Sequence, residues 1–417
     1  MRHVNFNAKI TFYRECIFEI IVPHYGICKH RKNEMKVLYI ATADYKYGAA
    51  KSLVDMMLAL REKHDVIPVV LTKRHNPLNE MCDDMGIENY SYWYRDIMAG
   101  SAYSRKVLNV MKHIVKYVLF LFGGVTQYGI NRCGLPMDEI DIIHTNLNRL
   151  DIGIYLAKKY HKKHVCHLRE LNVGHSRIVM YKRNCYQYLN EGVDKFIAIS
   201  EITRKSWVEC GLSASKVVTI YNGVENSLFQ DKTYDMTMPL RIVMVGRIEE
   251  NKGQMQLVQA LAQLEPGIRQ AFTVDFIGEG YEEYKNRIIS VIHEYDLNEQ
   301  VVFKGYMDDV PAQLSKYDIG IVASKGEAFG RVTAEYMQAG LLTIASDTGA
   351  NSELVDENIN GMLYRYADSS DLACKLKEVY ENPELLAIYG RAAREKAQQQ
   401  FSITRCAREI YELYQKL

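Results

Sequence analysis

From residue 35 onward, short apolar runs alternate with stretches of helical length and pattern, and that alternation stops once and then restarts. The first set reads as strand Val37–Ala41, helix Ala50–Lys63 and strand Val66–Leu71, followed by strands Ile140–His144, His164–Leu168, Lys195–Ile199 and Val217–Tyr221. The interruption is the polar stretch Asp231-Lys-Thr-Tyr-Asp-Met-Thr-Met-Pro239, and the composition of a linker fits it. The pattern then resumes with strand Leu240–Val245, helix Gln254–Leu264, strand Phe272–Ile277 and helix Tyr281–Glu294. Strands Val301–Lys304, Ile319–Ala323 and Leu341–Ala345 follow, with helices to the end. Strands spaced by helices imply parallel sheets covered on both faces, because a parallel pair needs a long crossover and a helix supplies it. The expectation is an α/β chain of two doubly wound, Rossmann-like domains facing each other across a cleft.

The 417 residues suffice for two cores of ordinary size. The boundaries that follow are an N-terminal extension over 1–34, a first domain over 35–230, a second over 240–400 and a closing helix over 401–417. The extension carries the apolar run Ile17–Val22, too short and too broken by Glu19 for a membrane span. A formal net charge of +1 argues against a general nucleic-acid binder. The nine cysteines are scattered and contain no Cys-x-x-Cys pair, which suits a reducing cytosol better than a disulfide framework. His161, His164, Cys166 and His167 are dense enough to suggest a metal, but neighbours on an extended segment point to opposite faces, so no metal site is expected there.

Chemistry concentrates where the apolar run Ile319–Ala323 gives way to a helix. In Ser324-Lys-Gly-Glu-Ala-Phe-Gly-Arg-Val-Thr-Ala-Glu335, Glu327 falls on the loop and Glu335 inside the helix, eight positions further on. At about 1.5 Å per residue, Glu335 stands ~7 Å past a helix start near Gly330, so both carboxylates can face one crevice. The amides of Gly330, Arg331 and Val332 open into the same space, where a phosphate can bind. Gly246-Arg247 and Asn251-Lys252-Gly253 follow strand Leu240–Val245; two cations at that spacing can bracket a diphosphate. Two readings of the glutamate pair remain open on spacing alone, an acid/base couple or two separate binding roles. The turn Ile277-Gly278-Glu-Gly280 and the loop Tyr45-Lys-Tyr-Gly48 both lack the full glycine fingerprint of a nicotinamide site. His144 and His167 close equivalent strands of the first domain, on the side that meets the second.

These residues together resemble the retaining family-4 glycosyltransferases. The resemblance runs from about 240 to 395 through Gly246-Arg247, Lys252-Gly253, Ile277–Gly280, Phe303-Lys-Gly305, Ser324, Glu327–Glu335, Ala345–Gly349 and Glu353. The first half is similar more weakly, at Gly48, Asp141–His144, His167, Ile199-Ser200 and Asn222-Gly-Val224. The resemblance implies the two-domain GT-B architecture and a nucleotide-sugar donor, UDP- or GDP-linked, with no further cofactor and no metal. It implies that Arg247 and Lys252 hold the diphosphate, that Glu335 binds the ribose hydroxyls and that Glu327 lies against the transferred sugar. The amides at Phe329 and Gly330 then contact sugar or phosphate, with Arg331 beside them. His167 meets the sugar from the first domain, while Gly48, Asn146 and Gly278 line the substrate site. Tyr336 and the Gly-Ala-Asn of 349–351 depart from the usual residues, and Asn146 stands where a second histidine is common.

The implied reaction is transfer of a sugar to a glycan or lipid-linked acceptor, in assembly of a cell-surface polysaccharide. The alternatives are a non-catalytic sugar-nucleotide-binding subunit and a GT-B epimerase or hydrolase. A separate feature bears on location. Tyr103–Phe122 combines apolar Val107, Leu108, Val110, Met111, Ile114, Val115, Val118 and Leu119 with Arg105, Lys106, Lys112 and Lys116. Such a basic amphipathic helix either rests on the inner face of a membrane or buries its apolar stripe in the protein.

Overall fold

In the computed structural model, the described residues are 34–41, 48–101, 106–172, 177–226, 232–307 and 309–417. The extension before residue 34, the Tyr45–Tyr47 loop, Arg105 and Asp231 lie outside them. Residues Met35–Leu417 form one compact unit built on two parallel sheets.

The first sheet contains β1 (Met35–Ala41), β2 (Val66–Thr72), β3 (Glu88–Ser91), β5 (Ile142–Thr145), β6 (Lys163–Leu168), β8 (Lys195–Ala198) and β9 (Val217–Thr219), in the order β3-β2-β1-β5-β6-β8-β9. A separate antiparallel pair is formed by β4 (Met98–Ser101) and β7 (Arg177–Met180). The second sheet holds β10 (Leu240–Val245), β11 (Phe272–Ile277), β12 (Val301–Gly305), β13 (Ile319–Val322), β14 (Leu342–Ser346) and β15 (Met362–Tyr364), in the order β12-β11-β10-β13-β14-β15. Val37–Ala41 in β1 and Ile319–Val322 in β13 are unbroken apolar runs, as expected of strands covered on both faces, and all of these residues are buried.

In each sheet the order reverses beside its first strand, between β1 and β5 and between β10 and β13. Strands diverge there to opposite sides, which leaves a crevice at their carboxyl ends. The loops after β10 and β13 carry Arg247, Lys252 and Glu327, so the sheet topology itself brings them together.

The chain does not leave its halves separate. The last helix, Ile403–Gln415, returns to the first sheet, where Ile403, Ile410, Leu413 and Tyr414 share a core with Val37, Tyr39, Leu53 and Leu60. A further core crosses the junction, joining Ile199 and Val224 to Val322, Phe329, Ala350 and Phe401. The expected linker is docked as well. The Lys232 side chain is 2% exposed, and its ammonium lies 3.2 Å from the Asp318 carboxylate.

Candidate active site

The donor-side loops are held by close backbone approach. Gly253 has φ 76°, and a Cβ there would lie 2.2 Å from the carbonyl oxygen of Ala323, so only glycine brings the β10 loop against the end of β13. The Lys325 amide donates to the Asn251 carbonyl at 2.8 Å across the same seam. Lys252 then reaches the Glu327 carboxylate at 2.6 Å, with the two side chains 32% and 19% exposed. The backbone of Glu327 is fixed from the far side, because its carbonyl accepts from the Ala350 amide at 2.8 Å. Gly349 leaves no room for a side chain there; a Cβ would stand 2.4 Å from the Glu327 nitrogen.

Gly330 precedes the Arg331–Gln338 helix in the left-handed region at φ 83°, which turns the chain sharply from loop to helix. Glu335 is 7% exposed and receives the Arg331 Nε at 2.9 Å. The rest of that guanidinium crosses to the first half of the protein: Nη2 lies 2.7 Å from Asp55 Oδ2 and Nη1 donates to Ser52 Oγ at 3.0 Å. Burial would lower the Arg331 pKa, but Glu335 and Asp55 outweigh it and hold it above the ordinary arginine value. A chain of charge thus runs from Glu335 through Arg331 to the helix Gly48–His64.

Other contacts hold the Glu327 loop from the first half. Thr203 Oγ1 donates to the Ala328 carbonyl at 2.9 Å, and the Ser200 hydroxyl donates to the same oxygen. Glu353 accepts from the backbone N–H groups of Glu201 and Ile202 at 2.8 and 2.6 Å, capping the Glu201–Glu209 helix across the junction.

On the opposing wall, His167 is 1% exposed and its Nδ1 is 2.6 Å from Nε2 of His144. The two rings stack at 4.7 Å, and the Tyr414 hydroxyl closes the chain at His144 Nδ1. Burial, reinforced by Arg169, holds both histidines well below the ordinary value, so they are neutral. Arg169 follows β6 at 6% exposure, donating to Asn146 Oδ1 at 2.6 Å and Asn222 Oδ1 at 2.8 Å. Burial lowers it to about 10, yet it remains a cation at neutral pH.

With this geometry established, two family profiles match in succession. The profile described as Glycosyltransferase Family 4 covers residues 48–228, and that described as Glycosyl transferases group 1 covers 229–396. The chain belongs to the family-4 glycosyltransferases. An uncharacterized glycosyltransferase of Methanocaldococcus jannaschii is 24% identical over 323 residues, 76% of this chain and 86% of its own. The putative colanic acid biosynthesis glycosyltransferase WcaL of Escherichia coli is 27% identical over 243 residues, 56% of this chain and 59% of its own. A crystal structure of Anabaena HepE in complex with UDP has a TM-score of 0.77 at 21% identity, covering 92% of this chain and 100% of that one. The fold is therefore GT-B, as the alternation and the motifs implied.

In this glycosyltransferase the expected donor residues fall into two groups. Lys252, Glu327, Phe329, Gly330, Arg331 and Glu335 lie on the converging loops and helix described above. Arg247 stands in the β10 loop with 45% of its side chain exposed and its guanidinium 3.9 Å from Glu249. Gly278 serves packing: at φ 141° a Cβ would lie 2.1 Å from the Gly246 carbonyl oxygen, so it lets two loops run together. The Phe329 ring is buried in the junction core. Gly48 opens the Gly48–His64 helix, and the space where a Cβ would stand is open to 4 Å. Both ends of the Asn146 amide are engaged within the protein, by Arg169 and by the Ala49 carbonyl at 3.3 Å.

Sequence reasoning passed over Arg169, Asp55 and the bridging role of Arg331. Arg169 follows His167 by two residues, a signal that was present but unweighted. The histidine-rich stretch splits as alternation requires. His164 turns to Thr145 Oγ1 at 2.8 Å, while His167 meets His144. Tyr336, unusual for the family, is accommodated because Gly320 leaves space where a Cβ would meet its ring at 2.3 Å; its hydroxyl accepts from the Val245 amide at 2.7 Å.

Proposed function

We propose that this protein is a retaining, metal-independent glycosyltransferase that moves a sugar from a UDP- or GDP-linked donor to a glycan or lipid-linked acceptor. Its setting is cell-surface polysaccharide assembly at the cytoplasmic face of the plasma membrane. The observation that carries the reading is the meeting of Lys252 and Glu327 at the switch point of the second sheet, beside the Arg331–Gln338 helix that holds Glu335. The colanic acid assignment in the name of WcaL and the UDP bound to HepE support the setting and the donor class.

Departure of a nucleoside diphosphate places negative charge on the leaving oxygens. Arg247, Lys252 and the helix amides are positioned to neutralise that charge as it develops. Without donor, Lys252 and Glu327 satisfy one another. A diphosphate competes for the ammonium and leaves the carboxylate to face the sugar, where it stabilises an oxocarbenium-like centre. Glu335 keeps one carboxylate oxygen on Arg331 and offers the other to the ribose diol. Contact between the halves excludes water and favours transfer over hydrolysis.

A panel of sugar nucleotides tests the donor through thermal stabilisation, since a ligand that binds only the folded state raises its midpoint. Glu335→Ala is expected to abolish most of that shift; full donor affinity and turnover in this variant would refute the ribose assignment. Anomeric analysis of the product tests retention, turnover in chelator tests metal independence, and assays without acceptor separate transfer from hydrolysis.

A further inference from the structure

The helix Lys106–Thr126 rests on the protein with the opposite face from the one expected of a soluble amphipathic helix. Met111, Ile114, Val115, Val118, Leu121 and Phe122 recur at helical spacing, and they are 61%, 58%, 57%, 43%, 54% and 68% exposed. Residues on the other side make the contacts. Phe120 is 8% exposed with the Arg95 guanidinium 4.4 Å from its ring centre, and a Cβ on Gly123 would lie 2.6 Å from the Arg95 side chain. The buried-stripe alternative is thus contradicted for this face. Close packing on the protein uses a small residue and one ring, while the wide apolar arc is turned outward.

Six large apolar side chains in one unbroken stripe are more than scattered exposure, and such contiguous surface marks a site of contact. The charge pattern indicates what covers it. Residues 106–126 contain Lys106, Lys112 and Lys116 and no aspartate or glutamate. A protein partner would have to bring acidic groups against a segment whose only charged residues are lysines, whereas an anionic bilayer offers an apolar interior and negative phosphates everywhere. Aromatic side chains with a polar tip prefer the headgroup level, and Tyr117, on the same helix, is 46% exposed. No helix among the described residues is long and apolar enough to cross a membrane.

We infer that the Lys106–Thr126 helix is an in-plane membrane-docking element, which inserts its Met111–Phe122 face into the acyl boundary of an anionic leaflet and draws on its lysine charge for attraction to the phosphates. It lies in the first half of the chain, so docking would bring the acceptor-side domain against the leaflet that carries a lipid-linked acceptor. This deepens the membrane setting proposed above and rests on it for its purpose, but binding is read without turnover, so the two can fail separately.

The test is co-sedimentation of the full chain with phosphatidylcholine vesicles and with vesicles containing phosphatidylglycerol. The wild type is expected to sediment with the second and to be released by salt. Ile114→Glu with Val118→Glu is expected to reduce the bound fraction at least tenfold, while keeping the thermal midpoint and donor binding, because both side chains already face outward. Lys112→Gln and Lys116→Gln are each expected to weaken binding about fivefold to anionic vesicles alone. A wild type that stays in the supernatant with both vesicles overturns the inference. So does a wild-type dimer that the double variant converts to monomer, since the face would then join two copies.

Discussion

Removing the Asp55 carboxylate should loosen the junction between the halves by an amount the geometry sets. The Arg331 and Asp55 side chains are 13% and 21% exposed, and their 2.7 Å contact is a charge-assisted hydrogen bond in a largely dry setting. Bonds to charged groups contribute about 1.5–3 kcal/mol. Stranding a buried charge outright costs about 3–5 kcal/mol, but Arg331 keeps Glu335 in the Asp55→Ala variant, so about 2 kcal/mol is expected. Ser52→Ala, which removes only a neutral acceptor, should cost about 1 kcal/mol. Unfolding in urea, followed by tryptophan fluorescence and by circular dichroism, measures both, because Trp93 and Trp207 report the first half while ellipticity reports the whole. A double-mutant cycle between Asp55→Ala and Arg331→Ala isolates the pair. A coupling within ~0.3 kcal/mol of zero would mean the sites behave as independent, and the continuity from Glu335 to the first half would be refuted.

Two further outcomes are expected. Tyr336→Phe removes the acceptor of the half-buried Val245 amide and should destabilise the protein by about 1–2 kcal/mol, read from the same urea transitions; an unchanged midpoint would count against the reading of this bond. Acid should also weaken the fold. Burial pushes His164 down to about 4 from an ordinary 6.5, and His144 and His167 are lowered by the same cause. The unfolded chain therefore takes up protons that the folded chain refuses, so the stability is complete above 6.5 and is lost as the pH falls towards 4. His164 alone should cost about 2 kcal/mol near pH 5, and a stability unchanged between neutral pH and pH 5 would refute it.

What the sequence revealed follows from which forces are local. Strands buried on both faces had to be continuous apolar runs, so β1, β10 and β13 were legible within a residue or two. Edge strand β3 was not, because Glu-Asn-Tyr-Ser carries no apolar pattern and pairs on one side only. The donor loops were recognisable because glycines and charged residues stand at fixed offsets from strand ends. Their partners were not. Asp55 lies far from Arg331 in the chain, and no spacing rule joins them. The helix Lys106–Thr126 shows the limit most plainly, since its periodicity gave the apolar face but periodicity alone cannot say whether that face points in or out.

The return of the last helix has a mechanical consequence. The polypeptide passes between the halves twice, once before β10 and once after Gln400, and the two passages are stitched side by side. The Val224 amide donates to the Phe401 carbonyl at 2.8 Å, and the Ile403 amide donates to the Val224 carbonyl at 3.0 Å. A single tether would let one half swivel in any direction. Two adjacent strands act like a pair of pins on one door edge, permitting swing about their common line and resisting twist. In such a swing Lys252 and Glu327, both carried by the second half, keep their contact, and the bonds of Arg331 to Ser52 and Asp55 are the ones that part and re-form.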